Sequence, residues 1–371
     1  MRDLIIKAGK AVLEAIYFFL KLFPQKNRIT FISRQSNSPS LDIRMLESRI
    51  EQGGVSAVVL CKKLEPGLGK KLGYCFHIFK QMYYMATSKV LVLDGYCIAA
   101  SLLHHRKSLA VVQMWHALGS LKKFGYSIID QPEGSSLSIA RLMRMHKNYD
   151  YIFTSSPHCI KAFSEAFRYG EDEFTVMSLP RVDALLDEER DRTKAALIYE
   201  AYPQLKTKKT ILYAPTFRKG FDMSDAVNRL VDAVDYEKYN LIIKLHPLTE
   251  GQIHVSQAIW DRHFSTLDML SVSDFVITDY SAVTFEAALK GKLLFFYAFD
   301  LDEYMRNRSF YIDYQQEMPG MIETEADKII RMIEENGGEP ARVKDFADKY
   351  IEKQSNCTKE MTDFLIGLLD E

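Results

Sequence analysis

Two histidines, one in each half of the chain, stand where a β-rich run breaks into polar turn residues: His116 in "VVQMWHALGSLKKFG" and His246 in "LIIKLHP". Other anion-binding side chains take the same kind of position. Thr216 and Arg218 follow "ILYAP", Thr278, Asp279 and Ser281 close "DFVITDYS" ahead of a helical stretch, and Arg181 follows Pro180. Imidazoles, hydroxyls, an arginine and backbone amides at a helix start suit a pyrophosphate. An imidazole that titrates near neutrality can also take a proton from an attacking alcohol. Each residue has an ordinary reading as well. His246 before Pro247 fits packing or capping, Asp279 or Ser281 fits an N-cap, "YAPTFR" fits a tight turn, and Lys122–Lys123 fits a solvated face. Several strand ends from both halves carrying such groups favour a site.

The chemistry is narrowed by what the chain lacks. No GxGxxG follows the first strand, no GxxxxGK[ST] occurs, the acids around Asp94 make no DxD pair, and the histidines of "HHRKS" lack metal spacing. The expectation is a reaction that uses no metal and no cofactor. The five cysteines are scattered and never in CxxC spacing, which indicates a reducing compartment. A net charge of −1 argues against nucleic acid as a partner.

The elements that must position these residues alternate between β-rich and helical runs. The first half gives strands at Arg28–Arg34, "SAVVLCK", Lys89–Gly95, within "HHRKSLAVVQMWH", Tyr149–Ser156 and Phe174–Asp183, with helices at "LDIRMLESRIEQ", Lys71–Thr87 and "PHCIKAFSEAFR". The second half gives strands at Thr210–Arg218, Tyr239–Pro247, "DFVIT" and "LLFFYAF", then a helical tail. This alternation predicts an α/β protein with parallel sheets, arranged as two Rossmann-like domains facing a central cleft. The expected division is an amphipathic helix at 1–24, an acceptor-side domain at 25–190 and a nucleotide-donor domain at 191–371.

The first segment carries Arg2, Lys7, Lys10 and Lys21 among apolar residues, with no apolar run of about 20 residues for a spanning helix. Leu4, Ile5, Ala8, Val12, Ile16, Phe19 and Leu20 can line one helical stripe. The helix either lies on an anionic membrane surface, aided by Lys62, Lys63, Lys70, Lys71 and Lys80, or packs on its own domain.

Taken together, these motifs resemble the CDP-glycerol glycerophosphotransferase family, the teichoic acid primases and polymerases of Gram-positive bacteria. The likeness is carried by "QMWHALGSLKKFG", "LPRVD", "ILYAPTFR", "IIKLHP", "SDFVITDYSAVTFEAALKGKLLFFYAFDLDEY" and "SFYIDYQQEMPG", in the family's order from about residue 110 to 320. The resemblance implies a GT-B fold and a CDP-glycerol or CDP-ribitol donor. It further implies an undecaprenyl-diphosphate-linked acceptor at the cytoplasmic face of the plasma membrane, which makes the protein peripheral. A homo-oligomer is also admitted.

Carried over by residue, the catalytic histidine falls on His116 and a second, phosphate-site histidine on His246, beside Lys244 and Leu245. Donor contacts fall on Arg181, Pro215, Thr216, Ser281 and Ala282, with Arg218, Thr278 and Asp279 in the same motifs. The family's Gly-Thr-Pro after the first histidine is here Ala117, Leu118 and Gly119, followed by Ser120. Its second serine is Ala282, and the acid four residues later is Glu286. The implied reaction transfers an alditol phosphate and releases CMP, and the short stretch ahead of the first strand leans towards a primase or short-chain transferase. A GT-B transferase using a CMP-sugar, a sugar-nucleotide epimerase and a non-catalytic membrane scaffold stay open as alternatives.

Overall fold

The computed structural model describes residues 2–65, 67–218, 220–245, 257–307, 309–335 and 337–370. It divides into two compact units: residues 1–118, 123–183 and 352–371, and residues 119–122 with 184–351.

The first unit is built on a six-stranded sheet of β1 (Lys26–Ser33), β2 (Ser56–Cys61), β3 (Ser88–Leu93), β4 (Ala110–Gln113), β5 (Tyr151–Thr154) and β6 (Phe174–Val176). The spatial order is β2-β1-β3-β4-β5-β6 and every pairing is parallel. Runs such as "VLVL" and "ITFI" are apolar at successive positions, as strands covered on both faces must be. Ile29, Phe31, Val90, Leu91 and Val112 are accordingly buried. The chain runs from β1 out to β2 and returns on the other side of β1 as β3, which puts a topological switch point between β1 and β3.

The second unit repeats the plan with β7 (Lys209–Tyr213), β8 (Tyr239–Ile243), β9 (Ile259–Trp260), β10 (Phe275–Thr278), β11 (Leu293–Tyr297) and β12 (Gly320–Glu323), in the order β12-β11-β10-β7-β8-β9. Its switch point lies between β7 and β10. Ile211, Tyr213, Ile243, Ile277, Phe295 and Tyr297 belong to a continuous core closed by Val227, Leu230, Ile329 and Ile333.

The two parallel sheets meet the expectation for the fold. Three details depart from the sequence reading. The sixth strand ends at Val176, and Arg181 opens a short helix, Arg181–Leu186, instead of closing a strand. The units part after Asp183, whereas 190/191 was expected. The last 20 residues return to the first unit, because the Asp183 carboxylate accepts from the backbone of Cys357 (3.0 Å) and Thr358 (2.8 Å) and Phe364 sets its ring against Tyr151 and Phe153.

The N-terminal helix α1 (Arg2–Leu20) packs on its own unit, beside the long helix α3 (Leu68–Thr87). Between them in the chain lies α2 (Leu41–Gln52). Tyr17 is fully buried and its hydroxyl bonds His105 Nδ1 at 2.8 Å. The opposite face of α1 exposes Leu4 (72%), Val12, Phe18 and Phe19 (64%), and α3 exposes Phe76 (76%). Among the described residues no helix is long and apolar enough to cross a membrane.

Candidate functional site

His116 stands three residues past the end of β4, and the chain reaches it through a reversal at Trp115. Trp115 has φ 60°, a left-handed conformation that costs a non-glycine residue about 1–3 kcal/mol unless its surroundings enforce it. Here they do. The Trp115 amide donates to Gln113 Oε1 (3.0 Å), and Gln113 Nε2 donates to the Gly95 carbonyl (3.2 Å). The indole stacks on Phe124 at 4.7 Å and meets the edges of Phe163 and Phe167. A tryptophan precedes this histidine because a large ring anchors the reversal.

The reversal turns the imidazole towards the end of β3. His116 Nδ1 lies 2.7 Å from the Asp94 carbonyl oxygen. A carbonyl only accepts, so Nδ1 carries the proton and Nε2 presents a lone pair. Burial pushes the His116 pKa below the ordinary imidazole value, against the opposing effect of that hydrogen bond. The ring is therefore neutral at neutral pH, the form a general base requires. Gly95 leaves room for this arrangement, since a Cβ there would fall 2.9 Å from Gln35 Nε2.

Arg181, expected to hold a donor phosphate, has other partners. Its guanidinium engages Asp42 through Nε (2.9 Å) and Nη2 (2.5 Å), and Nη2 also donates to the His116 carbonyl (3.1 Å). Asp42 had no place in the sequence reading, and Asp94 was weighed there only as a member of a DxD pair. An acid in the first turn of a helix reads as favouring the helix dipole, and Asp94 reads as a strand end. Ala117 is half-buried and Leu118 fully buried in this loop.

In the second unit the groups gather at the switch point. Ala214 N donates to Ile277 O (3.0 Å) and Thr278 Oγ1 to Ala214 O (2.8 Å), so the ends of β7 and β10 are tied together. Asp279, fully buried, accepts from the backbone amides of Thr216 (2.8 Å) and Tyr280 (2.5 Å). Arg218 donates to Asp279 Oδ2 (2.8 Å) and forms a fork with Asp300 (2.5 and 2.8 Å). Thr278, Asp279 and Arg218 thus build the loop after Pro215. Ser281 and Ala282 lead into the helix Val283–Leu289, which buries Glu286. The Thr216 hydroxyl is buried with no hydrogen-bond partner among the described residues.

Lys244, read as a phosphate neighbour, donates to Asp261 Oδ2 (2.7 Å), Asp261 O (3.1 Å) and Phe264 O (2.6 Å). An ammonium has three protons, and these three acceptors match them. Leu245 packs on the core, and His246 lies outside the described residues.

Gly119 and Ser120 pack within the second unit. A Cβ at Gly119 would fall 2.6 Å from the Phe285 ring. That ring is fully buried and stacked on Phe346, so it has nowhere to move. Gly119→Ala is expected to destabilise by about 1–3 kcal/mol through overpacking, seen as a lower denaturant midpoint. An unchanged midpoint would mean that Phe285 can yield.

Each unit is a doubly wound parallel sheet, with the oriented His116 and the Arg181–Asp42 pair in the first and the Arg218–Asp279–Asp300 cluster beyond β7 and β10 in the second. The sequence profile of the family described as CDP-glycerol:poly(glycerophosphate) glycerophosphotransferase matches residues 15–360, and the chain belongs to that family. It is an enzyme of the CDP-alditol phosphotransferase class. It is 31% identical to the teichoic acid ribitol-phosphate primase of Bacillus spizizenii, covering all of this chain and 99% of that one. It is 29% identical to the teichoic acid glycerol-phosphate primase of Bacillus subtilis over 79% of this chain and 77% of that one. The solved wall teichoic acid polymerase TagF has the same fold, with a TM-score of 0.78 at 17% identity, covering 100% of this chain and 97% of that one.

Proposed function

We propose that this enzyme transfers ribitol phosphate from CDP-ribitol to a lipid-linked acceptor in teichoic acid synthesis, as a primase. The end-to-end match to a ribitol-phosphate primase supports ribitol over glycerol. The observation that carries the chemistry is the 2.7 Å approach of His116 Nδ1 to the Asp94 carbonyl oxygen, which assigns the proton to Nδ1 and leaves Nε2 as the acceptor. His116 Nε2 takes the proton of the acceptor hydroxyl as that oxygen attacks the β-phosphorus. The bond from the β-phosphorus to the bridging oxygen breaks and CMP leaves. Thr216, Ser281 and His246, with the amides of Gly119 and Ser120, stabilise charge on the phosphates. The direct test is mass spectrometry of the product from CDP-ribitol and CDP-glycerol with an undecaprenyl-diphosphate-linked acceptor analogue, with and without EDTA. CMP release with a mass gain of one ribitol phosphate, insensitive to EDTA, is expected. A glycerol phosphate product would overturn the donor assignment, and a transferred sugar the reaction class.

The acceptor also calls for a membrane. The helix α1 buries one face and exposes another that carries Leu4, Val12, Phe18 and Phe19, and the exposed Lys7 supplies positive charge beside it. This supports a peripheral position on the anionic cytoplasmic face of the plasma membrane. Replacing Leu4, Val12, Phe18 and Phe19 together by Ser keeps Tyr17 and the fold. Burying one such side chain contributes about 1.5–3 kcal/mol, so liposome binding should fall at least about tenfold, with activity on a long-chain acceptor falling more than on a short soluble one. Undiminished binding to anionic liposomes would place the membrane contact elsewhere.

A further inference from the structure

We infer that Asp42 and Arg181 form a positioning pair for His116, the arginine tying the buried carboxylate at the head of α2 to the main chain of the catalytic loop. The inference rests on His116 acting as the base. Asp42 would have no need of burial if it served only the helix dipole, because a solvent-facing first-turn acid does that equally well. Instead it is 1% exposed and accepts from Arg181 at the backbone amide (2.8 Å), Nε (2.9 Å) and Nη2 (2.5 Å). Such a pair costs desolvation that a hydrophobic pair would avoid, so its usefulness is sought in specificity of geometry. The Nη2 bond to the His116 carbonyl supplies that use. With the Nδ1 bond to Asp94 O, the residue is held at its main chain and at its ring.

A planar guanidinium can engage the carboxylate and the carbonyl together, whereas an ammonium has no such fork. The charged groups acting on the imidazole are Asp42 from α2 and Arg181 from the helix Arg181–Leu186; Asp94 meets it through its carbonyl, the pKa of its own buried carboxyl being pushed up to about 6, and the neutral Gln35 amide lies 3.3 Å from Nδ1. Asp42 raises the ring's proton affinity and Arg181 lowers it.

The test measures Asp42→Asn, Arg181→Lys and His116→Ala in parallel for kcat, donor KM with CDP-ribitol and CDP-glycerol, pH profile and thermal melting. A misplaced reacting group can cost on the order of 10²-fold, so Asp42→Asn should lower kcat by about that factor. Its donor KM should stay within about threefold, the signature of an interaction realised in the transition state. Its acid limb should move to lower pH, because Arg181 then acts on the ring without its counter-charge. Arg181→Lys, which keeps the charge and serves if Asp42→Asn fails to fold, should lose kcat in the same way. A wild-type kcat and acid limb in either variant overturns the pair. So does a raised donor KM with kcat intact, which would make Arg181 a donor ligand. Turnover by folded His116→Ala overturns the base assignment itself, whereas a dead His116→Ala beside a normal Asp42→Asn removes only the positioning role.

Discussion

His116→Ala is expected to lower kcat by roughly 10²–10⁴-fold, the usual contribution of a general base, while leaving melting and donor binding close to wild type. The separation follows from the geometry. The ring bonds outward, to the Asp94 carbonyl, and the aromatic cluster that holds the loop belongs to Trp115, Phe124, Phe163 and Phe167. Truncating the imidazole removes the bond to Asp94 O, the neighbouring Gln35 contact and the 4.3 Å contact with the Trp115 indole, but leaves Trp115 stacked on Phe124 and packed on Phe163 and Phe167. The wild-type pH profile should carry the same signature. Only the neutral ring accepts a proton, and burial holds its pKa below the ordinary imidazole value. Activity should thus be full at neutral pH and fall on acidification with a midpoint below about 6.5. A folded His116→Ala protein with near-wild-type kcat, measured by CMP release, would remove His116 from the chemistry.

The parts of this arrangement legible in the sequence are those fixed locally. Apolar runs bounded by turn residues revealed most of the strands, and "LDIRMLESRIEQ" after Ser40 is the helix Leu41–Gln52, with Ser40 Oγ accepting from Ile43 N at 3.3 Å. Strand β9, "IW", is too short to leave a pattern, and β12, "GMIE", opens on a glycine and holds a single β-branched residue. The return of the last helix to the first unit depends on Asp183 meeting Cys357 and Thr358, a long-range pairing that no local periodicity encodes. The site was legible as a set of strand ends and less so in its division of labour. Residue type marks Arg181, Arg218 and Lys244 as anion binders, yet each faces a buried carboxylate in the fold: Asp42, the Asp279–Asp300 pair and Asp261. Asp42 and Asp261 lie outside every motif, and although Asp279 and Asp300 sit in the "SDFVITDYS…FYAFDLDEY" block, nothing local pairs them with Arg218, 61 and 82 residues away. The bracing of the loop is equally non-local, since Trp115 packs against helix Pro157–Phe167 through Phe163 and Phe167.

Arg218→Met is expected to be the most destabilising single change in the second unit. Arg218 is 5% exposed at its side chain, and the two carboxylates it serves, Asp279 and Asp300, are 0% and 7% exposed. Its guanidinium also lies over Phe299 at 4.7 Å. Methionine fills much of the volume and keeps that apolar contact, but leaves two buried negative charges facing each other without a cation. Breaking a buried ion pair from one side costs about 3–5 kcal/mol, a large share of the roughly 5–15 kcal/mol that holds a domain together. The loss should reach the site as well, because Asp279 also fixes the amides of Thr216 and Tyr280. A second substitution distinguishes this cause from simple loss of packing. Adding Asp300→Asn to Arg218→Met removes one of the two stranded charges at nearly constant volume, so it should recover part of the denaturant midpoint. A deficit unrelieved by the second substitution would show that the cluster's value lies in its shape and not in its charge.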